Sequence, residues 1–197
     1  MLRPALVATA LLAGQAMACP QRPEPAQAVV LTTLNPPTTD RFTRSPKGMT
    51  QHQIVTTDGG TVETHYLYPH PLLVGERQSG GRILRLRYNG NPLEWLDQLP
   101  GRQGWQAAVT LYEGGEKRAT GKNMLRFLGL DTVQVGDCRY AVWRIEEVMT
   151  LEGMEPITLE KAYNPDLGLV LQVVQKSPEG AVMAITRFDR IEVVPAE

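Results

Sequence analysis

Two cysteines, three histidines and a group of glutamates are the residues of this 197-residue chain on which chemistry could rest. Cys19 follows Ala16-Met17-Ala18, the small-x-small pattern that a signal peptidase accepts. Three fates of Cys19 are open. An even cysteine count in an exported chain favours a disulfide with Cys138. A lipid anchor on Cys19 is the alternative, although Ala16 stands where a bacterial lipobox usually carries Leu. Two free thiols complete the set.

The histidines are His52, His65 and His70. Asp58-Gly59 is a two-residue hairpin signal. If Thr57 pairs with Gly60, His52 falls opposite His65, Val55 opposite Val62 and Gln51 opposite Tyr66. Two facing imidazoles, with Glu63 or His70 nearby, are the start of a zinc site. The same face carries Thr56 and Thr61, so a plain solvated face explains the pair with fewer assumptions. The expectation is therefore no metal and no cofactor, with His52 and His65 as the residues to inspect.

Other reaction classes find less support. Ser45, Ser79 and Ser177 each precede Pro or Gly in a turn-like context, and none sits in a G-x-S-x-G elbow. The nearest approach to a phosphate loop, Gly115 to Asn123, has the wrong spacing and Asn123 in place of the metal-binding hydroxyl. Glu146, Glu147, Glu152, Glu155 and Glu160 could supply an acid/base pair only if two pointed inward at a set separation. Charged outer positions explain most of them. Glu147 is the exception, because it shares a strand face with Trp143 and Ile145. Arg85 and Arg87 share a face as ordinary strand solubilisation. The expectation is a protein that is not an enzyme.

Composition limits the partners. Twenty basic and 21 acidic residues leave a formal charge of −1, which gives no electrostatic footprint for nucleic acid. Residues 1–18 read as a signal peptide: Arg3 precedes an apolar stretch, Ala5 to Gly14, that is too short to span a bilayer. No later stretch reads as a transmembrane helix. The expected location is the periplasm or the exterior, or a membrane surface if Cys19 is lipidated.

The elements that must position these residues are mostly strands. Eighteen glycines and 15 prolines disfavour a helical bundle. Residues 19–47 read as a Pro-rich arm, extended or disordered, in which only Ala28 to Leu34 could add an edge strand. From residue 48 to 195, turn signals at Asp58-Gly59-Gly60, Ser79-Gly80-Gly81, Asn89-Gly90-Asn91, Glu113-Gly114-Gly115 and Glu152-Gly153 recur at about strand length. Such spacing predicts an antiparallel meander. Leu167, Leu169, Leu171 and Val173 share one strand face, opposed by Val170 and Val174, so that strand is covered on both sides. Ala181 to Val194 reads as one long final strand. One short helix is expected, with Asn91 as N-cap, Pro92 in the first turn, Leu93, Leu96 and Leu99 turned inward, and Pro100-Gly101 as the stop. Met124 to Leu128 is ambiguous between strand and helical turn.

The run Thr132-Val133-Gln134-Val135-Gly136-Asp137-Cys138, the strand Tyr140 to Glu146 and the segment Tyr163-Asn164-Pro165-Asp166-Leu167-Gly168-Leu169-Val170 carry a resemblance. Over about residues 120–195 the chain resembles uncharacterised exported bacterial proteins with a half-open β-barrel like that of periplasmic lipoprotein carriers. The resemblance implies a curved, open sheet and maps no catalytic residue.

The fold expected is therefore all-β: a curved antiparallel meander forming a half-open barrel with one short helix, or alternatively a β-sandwich. The function expected is a non-enzymatic periplasmic protein that holds a lipid or acyl chain in the concave face. Trp143, Ile145, Glu147, Leu169 and Leu171 are its candidate ligand-facing residues. The alternative is a cell-envelope module that binds a protein partner through an exposed strand edge or the Pro-rich arm.

Overall fold

Four of the turn signals fall between two strands, and the fifth, Asn89-Gly90-Asn91, ends a strand ahead of the short helix. A computed structural model describes residues 19–196; the expected signal peptide, 1–18, lies outside the described residues. Among the described residues the strands are β1 (Gln27–Leu34), β2 (Pro37–Ser45), β3 (Gly48–Thr57), β4 (Gly60–Tyr68), β5 (Glu76–Ser79), β6 (Arg82–Gly90), β7 (Gly104–Glu113), β8 (Glu116–Val135), β9 (Cys138–Leu151), β10 (Ile157–Asn164), β11 (Leu169–Lys176), β12 (Val182–Arg187) and β13 (Arg190–Pro195). They form one 13-stranded antiparallel sheet, in the order β12-β11-β10-β9-β8-β7-β6-β5-β4-β3-β2-β1-β13. The sheet is a curved meander that does not close.

Three elements differ from the sequence reading. First, residues 19–47 enter the sheet: the run Ala28 to Leu34, expected as a possible edge strand, is β1 and is paired on both sides, and the arm also supplies β2, which the sequence reading did not expect. Its prolines are compatible with this because none occupies a strand interior. Pro36 and Pro37 lie at the hairpin tip, Pro46 lies in the next turn, and Pro20, Pro23 and Pro25 precede β1. Val29 and Leu31 then alternate into the core at 1% and 0% exposure.

Second, the final run splits at Phe188-Asp189. Its first half pairs with β11 and its second with β1, at opposite ends of the sheet. The chain thus joins the two sheet edges covalently, without a hydrogen-bonded ladder between them.

Third, the short helix is two turns of different type. Leu93–Gln98 is a 3-10 turn with Pro92 before it and no side-chain cap, and α1 (Leu99–Arg102) follows, with Pro100 in its first turn. The spacing of Leu93, Leu96 and Leu99 is three, which is the period of a 3-10 helix. Gln103, at φ 64°, ends α1 in place of the expected glycine stop.

Two apolar cores lie on opposite faces of the sheet. Strand periodicity shows this directly: Val142 and Ala162 belong to the first core, while Ile145 and Tyr163 belong to the second, with Trp143 packed against it. The first core also takes Val29, Leu31, Phe42, Leu169 and Leu171; the second takes Leu72, Leu73, Leu96, Leu99, Trp105 and Leu125. Strand β8 serves both cores through a bulge. Its register against β9 shifts between Phe127 and Gly129, and Gly129 adopts φ 146°. One inserted residue exchanges the faces. Leu125 therefore enters the second core and Val135 the first, although both are odd-numbered. The ambiguous stretch Met124 to Leu128 is the strand leading into this bulge.

Candidate functional site at the open seam

The candidate ligand-facing residues do not share one surface. Ile145, Leu169 and Leu171 are 0%, 1% and 0% exposed, and Glu147 is 4% exposed. Trp143 is half-buried, edge-on to Phe127 and Tyr163. Trp143 and Ile145 contribute to the second core, while Leu169 and Leu171 fill the first. The sequence placed all five on one concave side. Alternation within each strand is legible, but the relative orientation of two strands separated by β10 and a bulge is not. The register of β11 against β10 shifts between Ala162 and Tyr163, which reorients the start of β11.

Glu147 anchors a buried polar cluster. Its Oε2 lies 2.5 Å from Lys161 Nζ, and Asn123 Nδ2 donates to its Oε1 at 2.7 Å. Lys161 Nζ also donates to the Leu72 carbonyl at 2.7 Å. Burial and the Glu147 charge together push the Tyr88 phenol pKa upward, and Tyr88 Oη donates to the Val74 carbonyl at 2.8 Å. His70 closes the same loop, accepting from the Leu72 N–H at Nδ1 (3.2 Å) and facing Asp97 at Nε2 (3.2 Å). Burial lowers the His70 pKa, opposed by Asp97. Above these groups lie Leu72, Leu73, Leu96 and Leu99, all at 0% exposure. Each contributes about 2 kcal/mol by burial. The cluster ties the 69–75 loop onto the sheet, and its charges satisfy one another. Lys161 had no signal in the sequence, because its partners come from β9 and a distant loop.

The other glutamates singled out from the sequence are paired or exposed. Glu160, 8% exposed, contacts Arg144 and accepts from Lys176 Nζ at 2.5 Å. Glu146 meets Arg126 at 3.0 Å, Glu152 accepts from Thr120, and Glu155 is exposed. Arg85 pairs with Glu76 at 2.5 Å, and Arg87 sits over Tyr112.

The β3–β4 hairpin has the expected register, with Thr57 opposite Gly60 and His52 opposite His65. Glu63 joins the two histidines, while His70 lies apart in its buried loop. Cys19 and Cys138 form a disulfide with Cα atoms 5.5 Å apart. Cys138 opens β9, where the sequence placed it.

The most open feature is the seam. Every residue of β12 is exposed, with Val182, Met183 and Ile185 at 58%, 64% and 50%. One edge of β12 pairs with β11; its other edge has no strand partner among the described residues. Between that edge and the tip of the β1–β2 hairpin lies a cleft of about 570 Å³, lined by Leu34, Pro36, Val55, Ile185 and Arg187 among others. Its closed end is pinned where Thr33 Oγ1 donates to the Arg187 carbonyl at 3.1 Å and the Leu34 N–H donates to Asp189 Oδ2 at 2.7 Å. The sequence reads Ala181 to Val194 as one long strand and does not show that the run would leave one partner strand for another.

The chain matches no protein-family model and no curated protein. Among solved structures it is similar to a putative exported protein with a YmcC-like fold from Bacteroides fragilis NCTC 9343, at TM-score 0.47 and 12% identity over 87% of this chain and 97% of that one. It is also similar to the hypothetical lipoprotein YmcC from Escherichia coli K12, at TM-score 0.43 and 15% identity over 88% of this chain and 86% of that one. The chain therefore bears a weak structural resemblance to YmcC-like exported and lipoprotein structures.

Proposed function

We propose that the chain is an exported, non-enzymatic binding module that takes an extended segment of an envelope protein onto the free edge of β12. The observation that carries this reading is the edge itself: six exposed residues with an unpaired side facing a cleft. Alternate residues of an edge strand turn N–H and C=O groups outward, and an added strand satisfies them. A lipid tail has no donors or acceptors for them. The exposed Val182, Met183 and Ile185 lie on a strand whose two faces are both open, which suits a partner segment with aliphatic side chains. The concave-face lipid reading finds its inner positions occupied by the protein's own Ile145, Leu169 and Leu171. Absence of enzymatic activity is supported by the closed Glu147–Lys161 cluster, whose charges are engaged with the loop above. Export is supported by the disulfide, which persists in oxidising compartments.

The test is site-specific photocrosslinking in intact cells. A photoreactive residue at Met183 should give a discrete protein adduct, and one at the exposed Val62 should not. Ile185→Lys, by charging the edge, should lower the Met183 adduct at least about tenfold, while Val62→Lys leaves it unchanged. Adducts equal at both positions, an adduct insensitive to Ile185→Lys, or no adduct at Met183 would overturn the reading. Lipid recovered by solvent extraction without any protein adduct would select the hydrophobic-ligand function instead.

A further inference from the structure

We infer that His52, Glu63 and His65 form a binding site for a divalent first-row transition metal, with zinc as the matching ion. This is independent of the seam. The hairpin fixes the geometry: β3 and β4 are joined by Asp58-Gly59, so His52 and His65 stand directly opposite each other, with Glu63 one step along on the same face. Directly opposed side chains have Cβ atoms about 4.5–5.5 Å apart. The donor atoms of all three residues lie within 4.8 Å of one another.

The His52–Glu63 distance matches what an ion needs, and His65 stands within reach of the same point. Two ligands at zinc bond lengths of about 2.0–2.1 Å in tetrahedral geometry are separated by about 3.3 Å. His52 Nε2 and Glu63 Oε2 are 3.2 Å apart. The imidazole rings of His52 and His65 are stacked 4.3 Å apart and 6° from parallel. In this stacked arrangement the in-plane lone pairs of the two rings run nearly parallel, so binding requires His65 to turn out of the stack and bring a ring nitrogen to the point that His52 and Glu63 already share. Two imidazoles and one carboxylate are a donor set for zinc or copper(II), and a poor one for magnesium or calcium, which prefer oxygen. Three protein ligands leave a fourth position for water or an external ligand. The site is reachable from solvent, with the His52 and Glu63 side chains 35% and 59% exposed.

The neighbouring charges permit a cation. Arg41 lies across from His52, but its guanidinium donates to the Pro195 carbonyl at 2.6 Å, toward β13. Gln78, which is neutral, lies across from His65. Glu63 supplies the negative charge, and the ion would clip β3 to β4 in a hairpin whose tip is exposed.

The test is calorimetric titration of untagged exported protein with zinc chloride. Binding of one equivalent is expected, and none with magnesium chloride. Glu63→Gln and His65→Ala should each weaken zinc binding at least about tenfold. Far-UV circular dichroism should confirm that both variants keep the sheet. In NMR spectra, the imidazole signals of His52 and His65 should move on zinc addition while those of buried His70 stay in place. Absence of zinc binding would overturn the proposal. So would unchanged affinity in the His52→Ala/His65→Ala double variant, or a shift of the His70 signals alone.

Discussion

Replacing Lys161 by Met tests whether the second core is built around a charge pair. Lys161 and Glu147 are 7% and 4% exposed, and their charged atoms are 2.5 Å apart. Breaking a buried pair by removing one partner costs about 3–5 kcal/mol, because the other charge stays desolvated. Lys161→Met leaves Glu147 with Asn123 alone and also removes the donor to the Leu72 carbonyl. For a domain of this size about 1 kcal/mol shifts Tm by roughly 2–4 °C, so the loss should be roughly 6–20 °C. The double variant Glu147→Leu/Lys161→Met removes both charges together. It should recover to within about 1–3 kcal/mol of the starting protein, the remainder being the unpaired Leu72 carbonyl and Asn123 amide. The cycle should therefore show a coupling of at least about 3 kcal/mol. Urea unfolding followed by tryptophan fluorescence is the assay, since Trp105 lies in this core and Trp143 packs against it. Additive single effects, or a loss below about 1 kcal/mol for Lys161→Met, would mean that water reaches the pair and that the cluster does not hold the loop.

Two further outcomes follow from the disulfide and from His70. The Cys19–Cys138 bond closes a loop of 119 residues, worth up to about 5 kcal/mol on the chain-entropy account. Cys138→Ser should therefore lower stability and expose residues 19–26 to proteases while β1 and β2 stay protected, because those strands are held by the sheet; cleavage within Gln27–Ser45 would refute this. Intact mass should show the exported protein two hydrogens lighter than its reduced form, and a diacylglyceryl addition on Cys19 would count against the bond. Burial lowers the His70 pKa below its ordinary 6.5, with Asp97 opposing. The unfolded chain then takes up the proton first, so the stability is complete above pH 6.5 and declines as pH falls below it toward the folded pKa. His70→Gln should flatten the dependence of unfolding free energy on pH between 7 and 5, by at most about 1.4 kcal/mol per pH unit. An unchanged slope would show that His70 titrates as it does in the unfolded chain.

Local rules in the sequence reached the hairpins and stopped at the pairing of distant segments. The β3–β4 register followed from Asp58-Gly59 alone, because a two-residue turn fixes every pair behind it. The disulfide followed from the count and placement of cysteines. Glu147 was conspicuous as a carboxylate on an apolar strand face, yet its partner Lys161 was not, since the pair forms only when β9 and β10 align with a loop about ninety residues away. The number of prolines in residues 19–47 does not report their position: at hairpin tips and before β1 they break no ladder. The separation of Ile145 from Leu169 and Leu171 depends on the bulge at Ala162/Tyr163 between β10 and β11. A bulge inverts faces while changing the sequence pattern by a single residue.

The bulges also bear on why the seam is open. A sheet that buries one face in a first core and the opposite face in a second must change its curvature between them, and β8 and β9 are long enough to span both. Strand β13 follows the curvature of the first core, with Ile191 and Val193 packed against it. Strand β12 pairs with β11 on one side, and all six of its residues stay exposed before the chain reaches the buried Phe188. Stability gains nothing from Val182, Met183 and Ile185 in water; charged replacements there would protect the edge from aggregation. An aliphatic, unpaired edge is a liability for a protein working alone and an asset for one that is covered when it works. The composition of β12 therefore argues, independently of the cleft beside it, for a partner strand at this edge.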